Sequence, residues 1–317
     1  MDNTHISIII PTKNRQEILW VTVEKALYAI ENNDVEIIVV NDDEIALTIP
    51  HKLNGSVQVY NNPRNGVSSA RNFGASMSKG NILFFLDDDM WITAHAIEWI
   101  RNIFQQEQSQ LNAYNINWEY PPSLNQKLKD SKIGRYLLNT GYNQYWGRMH
   151  EKGKKPSSGL YKFHSIASGS LVIHDSIFKK VGGYNESLIF QGEDIDLSKR
   201  LGLASIPVYV VFETTIFHNQ QDRLNIYGHL ERLRRGYHSE FEAAYNDIIN
   251  FPDVSQYINR KRILFELFSL LEHVVVFIYR AIPNQPIFSK LTNKLIGILS
   301  GLVRFQEWKK VSMKYNK

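Results

Sequence analysis

Four short apolar runs constrain this chain more than any other feature, and three of them end in a cluster of polar residues. They are ISIII (Ile6 to Ile10) before PTKNR, EIIVV (Glu36 to Val40) before NDDE, VQVY (Val57 to Tyr60), and ILFFL (Ile82 to Leu86) before DDD. Short apolar runs rich in β-branched residues read as buried strands. Between the first two, from Gln16 to Glu31, Ile18, Leu19, Val23, Leu27 and Ile30 recur at helical spacing and predict one buried face. Strand, helix and strand in alternation give βαβ architecture with a parallel sheet. Ligands of such sheets bind beyond the carboxyl ends of the strands, so PTKNR, NDDE and DDD are expected to converge on one crevice.

The three consecutive carboxylates Asp87, Asp88 and Asp89 repel one another unless they are solvated or given a partner, and a divalent cation is a partner that binds them. The 317 residues include no cysteine, which excludes disulfides and thiolate metal sites and leaves oxygen and imidazole ligands. Magnesium or manganese fits that set. Alternation along an extended chain predicts that Asp87 and Asp89 point to the same side. As exposed groups at a strand end, these carboxylates are expected to contribute little to stability.

MDNTHISIIIPT has no basic stretch followed by a long apolar region, and no run reaches the length of a membrane span, so the expected compartment is the cytoplasm. The net charge of +4 is uneven, with an excess of +6 from Ile226 onward and about −2 before it. A charge-driven partner is therefore expected at the C-terminal end. From about Gln105 to His164 the regularity lapses into a segment rich in Tyr, Trp, Asn and Lys. SGSLVIH, a helix near Ser176 to Val181, the turn GGYNE, the helix of GEDIDLSKRLG and the strand VYVVFE follow. After about Asp222 the pattern is helical.

Five elements in order, SIIIPTKNR, EIIVVNDD, NGVSSARNFGASMSKGNILFFLDDD, SGSLVIHDSIFKKVGGYNE and GEDIDLSKRL, resemble family 2 of the glycosyltransferases. The resemblance runs from Ile6 to about His218. It implies an α/β GT-A fold, with a Rossmann-like, mostly parallel central sheet flanked by helices, and a helical C-terminal appendage. A catalytic domain over residues 1–225, with a donor half (1–104) and an acceptor-side half (105–225), would precede a helical region over 226–317. The activity implied is non-processive, inverting transfer of a sugar from a nucleotide diphosphate, most simply UDP, to a hydroxyl of a glycan or glycolipid in cell-envelope polysaccharide synthesis.

By the same resemblance, Pro11, Thr12, Asn14, Arg15, Asp42, Arg71, Asp87, Asp88 and Arg223 serve the nucleotide sugar, with Asp42 at the uracil edge and Arg71 by the diphosphate. Asn41 stands where the family usually has a carboxylate. Asp87-Asp88-Asp89 matches the Asp-X-Asp motif. Asp89, Asp87 and His218 would hold Mn2+ or Mg2+, leaving Asp88 a structural or solvated residue as well as a donor-side one. Asp194 is the expected general base, with Glu193 tuning it. A general base must lie within hydrogen-bond reach of the acceptor hydroxyl. QQDRL has Leu224 in place of the tryptophan of processive relatives. Trp118, Tyr145 and Trp146 offer faces for sugar rings, although core packing explains the same aromatics.

Two other classes fit the sequence less well. A nucleotidyltransferase wants a glycine-rich basic phosphate loop near the N-terminus, and PTKNRQEIL has no glycine. An inactive glycan-binding scaffold has little need of both acidic motifs. No nucleic-acid partner is expected. Leu264, Leu267, Leu271, Val274, Ile278 and Ile282 form an apolar stripe that Glu266, Glu272, His273 and Arg280 make too costly to span a bilayer. Lys290, Lys294, Arg304, Lys309, Lys310, Lys314 and Lys317, with Glu307 as the one acid among them, favour the inner, anionic membrane face. Packing on the catalytic domain or in a homodimer accounts for the stripe equally well.

Overall fold

A computed structural model describes residues 5–30, 34–148, 155–188, 192–245 and 272–315. The chain divides into two compact units, one of residues 1–119 and 151–219, the other of residues 120–150 and 220–317.

The first unit is built on one mixed sheet. Its strands are β1 (Ile6–Thr12), β2 (Val35–Asn41), β3 (Gln58–Asn61), β4 (Ile82–Leu86), β5 (Met90–Trp91), β6 (Ala113–Glu119), β7 (Leu160–Phe163), β8 (Ser170–His174) and β9 (Val208–His218). Their order is β3-β2-β1-β4-β8-β6-β9-β5, with β7 also paired to β9. The first four strands run parallel as the βαβ pattern predicts: β1 pairs β2 from Ile6↔Val35 to Thr12↔Asn41, and β4 from Ile6↔Ile82. β8 then enters antiparallel to β4, with Leu86 opposite Ser170, and β6 runs antiparallel to β8. All seven residues of β1 and all five of β4 are buried, which accounts for their largely apolar runs, and Ser7 within β1 donates to Glu36 Oε1 at 2.6 Å.

Helix α1 (Gln16–Ala29) leaves β1 through Asn14, whose φ of +55° lies in the left-handed region that asparagine tolerates. Its buried face comprises Leu19, Trp20, Thr22, Val23, Ala26 and Ala29, whereas Ile18 is 37% exposed. The expected stripe was thus rotated, because Thr22 takes a core position for a polar reason given below. α2 (Val67–Met77) lies close on the sheet at Gly74, where a Cβ would come within 2.4 Å of Ile9 Cγ2. α3 (Ala94–Phe104) begins at Thr93, whose hydroxyl accepts from the Ala96 N–H. On one face Ile9, Leu83, Phe85, Leu171, Ile173, Phe178, Tyr184, Leu197 and Leu201 form a continuous core. Truncating a buried aromatic such as Phe85 to alanine costs about 3–5 kcal/mol in sites of this kind.

The described residues of the segment expected to be irregular, 105–148 and 155–164, include regular elements. β6 was hard to read because AYNINWE buries two asparagines: Asn115 donates to the Ala167 carbonyl at 2.7 Å and Asn117 to Thr215 Oγ1 at 2.9 Å. Residues 122–148 form α4 (Pro122–Lys129), α5 (Lys132–Thr140) and α6 (Tyr145–Arg148). These belong to the second unit with α9 (Ile226–Tyr245), α10 (Glu272–Ala281) and α11 (Ser289–Tyr315). α7 (Asp175–Lys180) and α8 (Glu193–Leu203) belong to the first.

Within the second unit Ile133, Leu230, Val276, Tyr279, Ile296, Leu299 and Leu302 pack together. Of the C-terminal stripe, Leu264, Leu267 and Leu271 lie outside the described residues, as does Glu266, while Val274 and Ile278 face solvent at 47% and 45% exposure. Val275, Val276 and Tyr279 are the buried positions of α10. Glu307 is buried and paired with Lys310 at 2.5 Å, and Lys314 with Glu242 at 2.8 Å, so part of the expected basic surface is neutralised. Lys317 lies outside the described residues. No described helix is long and apolar enough to cross a membrane.

Candidate active site

The DDD cluster is not an extended segment. The Met90 N–H donates to the Asp87 carbonyl at 3.0 Å, closing a turn, and the three carboxylates acquire different partners. The alternation that would have put Asp87 and Asp89 on one side therefore does not apply.

Asp88 and Asp89 are buried. Asp88 accepts from Thr12 Oγ1 and from Arg15 Nη1, each at 2.7 Å, and its carbonyl accepts from Thr22 Oγ1 at 2.6 Å. This bond is why a threonine sits on the buried face of α1. Each carboxylate oxygen of Asp88 has a protein donor; the residue pins the PTKNR segment to the end of β4, and Thr12 is spent on the same link. Pro11 is buried within β1 and Asn14 is exposed. Burial and the neighbouring Asp89 carboxylate push the Asp88 carboxyl upward.

Asp89 accepts from Arg15 Nη2 at 2.8 Å and lies 3.1 Å from His218 Nε2. Against burial, His218 and Arg15 hold its carboxyl well below the usual range. The end of β9 is fixed there a second time, by the Asn219 N–H donating to the Asp89 carbonyl at 2.8 Å. Trp118 packs edge-on against His218 at 4.9 Å between ring centroids and is 3% exposed.

At the end of β2, Asn41 is buried and donates to the Ile45 carbonyl at 2.8 Å, shaping the following loop. Asp42 Oδ1 accepts from Asn62 Nδ2 at 2.6 Å and from the Gly66 N–H at 2.9 Å, while Lys13 Nζ stands 3.2 Å from Oδ2. Asp42 thus ties β2 to the entrance of α2.

Arg71 is 4% exposed, so it is neither a surface salt bridge nor an open anion site. Its Nη2 donates to Asp87 Oδ1 and its Nη1 to Glu193 Oε1, each at 2.9 Å, with the Tyr184 ring 5.4 Å from the guanidinium. Despite burial, Asp87, Tyr184 and Glu193 drive its pKa further up. Gly169 makes room for Asp87: a Cβ there would lie 2.3 Å from Asp87 Oδ2.

Asp194 stands in the first turn of α8, where the helix dipole favours a carboxylate. Its Oδ1 accepts from the Ile195 N–H at 2.8 Å. Burial and the adjacent Glu193 nevertheless push its carboxyl up to about 7. A carboxylate with that basicity suits proton abstraction near neutral pH.

The structure therefore brings Thr12, Arg15, Asp88, Asp89 and His218 into one bonded group and Arg71, Asp87 and Glu193 into a second, adjoining through the chain at Asp87 and Asp88. Of the aromatics proposed for an acceptor, Trp118 is a buried support for His218, and Tyr145 and Trp146 are buried within the second unit, so core packing describes them. The side chain of Arg223 lies outside the described residues. Thr22, Asn62, Gly169 and Tyr184 were missed. Gly169 and Tyr184 stood inside quoted motifs, but nothing in their spacing marks a contact.

Among the described residues no three His, Asp or Glu side chains converge as a metal site. The Asp89 and His218 pair nonetheless suits one: two adjacent ligands of an octahedral cation at about 2.1 Å stand about 3 Å apart, close to the 3.1 Å between Oδ1 and Nε2. The Asp89 carboxylate matches the oxygen chemistry of manganese or magnesium. Asp87, expected to share the ion, is held by Arg71 instead.

A sheet whose parallel half ends in acids, with a second acidic pair opening a helix across one arginine, defines a glycosyltransferase of the GT-A fold. Residues 7–181 match the model of glycosyl transferase family 2, over half of the chain, and the protein belongs to that family. It is 26% identical over 292 residues to an uncharacterized glycosyltransferase of Haemophilus influenzae, covering 86% of this chain and 93% of that protein. It is 32% identical over 113 residues to the poly(ribitol-phosphate) beta-N-acetylglucosaminyltransferase TarP of Staphylococcus aureus, covering 33% of this chain and 35% of that one. With the O-antigen biosynthesis protein RfbC of Myxococcus xanthus it shares 22% identity over 68% of this chain, but spans only 17% of that protein. Among solved structures, GalNAc-T7 crystallised with UDP, GalNAc and Mn2+ superposes with a TM-score of 0.50 at 15% identity, covering 98% of this chain and 58% of that one, a likeness of fold.

Proposed function

We propose that this glycosyltransferase moves a hexose from a UDP-sugar to a hydroxyl of a cell-envelope glycan or glycolipid, inverting the anomeric carbon and adding one sugar at a time. The observation that carries the reading is the ionic link Asp87–Arg71–Glu193, which joins the acids at the end of β4 to the pair that opens α8. Donor-side and acceptor-side motifs thereby share one site. The relative named for poly(ribitol-phosphate) and the one named for O-antigen biosynthesis support the acceptor class.

In this reading residues 1–225 are catalytic, with donor functions in 1–104. Asp194 accepts the proton of the acceptor hydroxyl as that oxygen attacks from the face opposite the diphosphate, so no covalent enzyme intermediate is needed. Glu193, fixed by Arg71, keeps a negative charge beside Asp194 and so sustains its basicity. Asp89 and His218 are the residues that would hold Mn2+ or Mg2+, whose Lewis acidity offsets charge on the diphosphate. Asp87 and Arg15 lie on the same donor side, where preorganised charge stabilises a leaving group most effectively. The place of action is the inner face of the membrane, reached through exposed Phe277, Ile287, Arg280 and Lys290 of the second unit.

The test is UDP release from a panel of UDP-sugars, with and without manganese, by the unaltered chain and by Asp194→Asn. Release that depends on Asp194 supports the reading. No UDP release from any donor, or equal release by the variant, defeats it.

A further inference from the structure

Tyr184, in the turn GGYNE, is held by two consecutive residues of α2. Ser68, Arg71 and Asn72 stand at i, i+3 and i+4 and so share one face of that helix, and the chain from Gly183 to Leu188 is laced along it. Asn72 clamps the Tyr184 backbone from both sides: its Oδ1 accepts from the Tyr184 N–H and its Nδ2 donates to the Tyr184 carbonyl, each at 2.8 Å. Ser68 Oγ donates to the Leu188 carbonyl at 2.8 Å. Gly183, at φ +65°, permits the close approach, since a Cβ there would stand 2.8 Å from Asn72 Oδ1.

With the backbone fixed to Asn72, the ring of Tyr184 falls beside the residue before it on α2, its centroid 5.4 Å from the Arg71 guanidinium carbon. Phe85 and Phe178 wedge the buried ring in T-shaped contacts, at 5.3 and 5.5 Å between centroids. Arg71 is less constrained by its own bonds. It meets Asp87 through Nη2 and Glu193 through Nη1, while its buried Nε–H has no acceptor. Bonds to the two terminal nitrogens alone let a planar group swing about the line that joins them. An aromatic face against the guanidinium stops the swing and attracts the cation as well. Burial pushes the Tyr184 phenol up, against the pull of Arg71, so the ring meets the cation in its neutral form.

We propose that Tyr184 is a positioning residue for the transfer step, holding Arg71 between Asp87 and Glu193 so that the charges beside Asp194 stay in place. The role rests on Asp194 being the base of the proposed reaction, and it is exerted through Arg71. Asp194 is faced by Glu193 on its own helix, by Arg71 from α2 and by Tyr184 from the turn GGYNE. When Arg71 tilts away, burial and Glu193 act on the Asp194 carboxyl with less opposition, and the pH at which it ionises rises.

The test follows melting, and UDP release from UDP-glucose, UDP-galactose and their N-acetylated counterparts as a function of pH, in the full chain and in Tyr184→Leu, Tyr184→Phe and Asn72→Ala. Tyr184→Leu removes the ring face and should lower kcat about tenfold or more and move the midpoint of the pH profile up by about one pH unit. Tyr184→Phe keeps the face and should recover most of the rate, with the midpoint of the unaltered chain. Asn72→Ala frees the Tyr184 backbone without opening the core, should move the midpoint in the same direction, and decides the matter where Tyr184→Leu does not fold. A ring that only fills the core lowers the melting point in Tyr184→Leu and leaves the midpoint where it was, and that result overturns the proposal. An unmoved midpoint in Asn72→Ala, with Tyr184→Leu unfolded, overturns it too. So does a Tyr184→Phe chain as slow as Tyr184→Leu, which assigns the effect to the hydroxyl and not to the ring face. No turnover of any of these donors by the unaltered chain defeats the transfer reading and this role with it, whereas turnover with an unshifted profile in Tyr184→Leu defeats this role alone.

Discussion

The guanidinium of Arg71 lies 2.9 Å from the carboxylate of Glu193, although 122 residues separate them in sequence. A second bond to Asp87 makes Arg71 a cation shared by two acids, and all three are brought together by α2, the end of β4 and α8. Removing one partner of a buried pair leaves uncompensated charge. Arg71→Met is therefore expected to destabilise by about 3 kcal/mol, with the melting point down by roughly 6–12 °C for a chain of this size. Arg71→Met/Glu193→Gln should recover part of the loss. A fall of less than about 2 °C in the single variant contradicts this account.

Asp194→Asn keeps the size of the side chain but removes the proton acceptor. Transfer should fall by about 10² to 10⁴ while UDP affinity stays unchanged. With Asp194 as the proposed base the ionised form is the one that accepts a proton, so transfer should rise with pH and level off above about 7. The stability contribution has the opposite sense. A carboxyl raised from 3.8 to about 7 on folding stabilises fully below 3.8 and loses that contribution as pH rises through about 7. A rate profile flat from pH 5 to 8 sinks the assignment of Asp194.

Asp89→Ala was expected from sequence to leave stability intact, because strand-end carboxylates are usually solvated. Asp89 is 2% exposed and paired to both Arg15 and His218, so the variant should instead lose about 2–4 kcal/mol in urea unfolding. Manganese should strengthen UDP binding by the unaltered chain and leave Asp89→Ala unaffected. Equal UDP affinity of the unaltered chain in EDTA and in manganese contradicts the metal role.

Gly169→Ala tests the space given to Asp87. The added methyl would stand 2.3 Å from Asp87 Oδ2, so that carboxylate must leave Arg71. A cost of about 1–3 kcal/mol and weaker UDP binding are expected. Adding Asp87→Ala should restore melting but not UDP affinity. Additive losses in the double variant mean that the two residues do not interact.

In the second unit, exposed Phe277 and Ile287 together with Lys290 and Lys294 should carry the chain to anionic vesicles in flotation. Phe277→Ser/Lys290→Glu should release it. Each basic residue near such a surface contributes about 1 kcal/mol. Equal flotation with neutral vesicles removes the electrostatic part.

Sequence pattern made the parallel half of the sheet legible because ISIII, EIIVV and ILFFL are apolar on both faces. The direction of β8 was not legible, since SLVIH reads the same whether it runs with or against β4. The site was legible as motifs and illegible as contacts. Asp88 resembles its two neighbours in composition, but it faces Thr12 and Thr22 and serves as a structural pin. Asp42 likewise spends one oxygen on Asn62 and Gly66. Asn115 and Asn117 concealed β6, because a buried asparagine is satisfied by partners distant in sequence.

β9 is the last strand among the described residues yet lies inside the sheet, with β6 on one side and β5 and β7 on the other. During synthesis the edge of β6 must stay unsatisfied until Val208 to His218 has left the ribosome, and unpaired edges of this kind attract other chains. A transcript cut short before that strand yields a protein prone to aggregate. It also lacks the histidine that meets Asp89, so the contact between the ends of β4 and β9 arrives only with the final closure of the sheet.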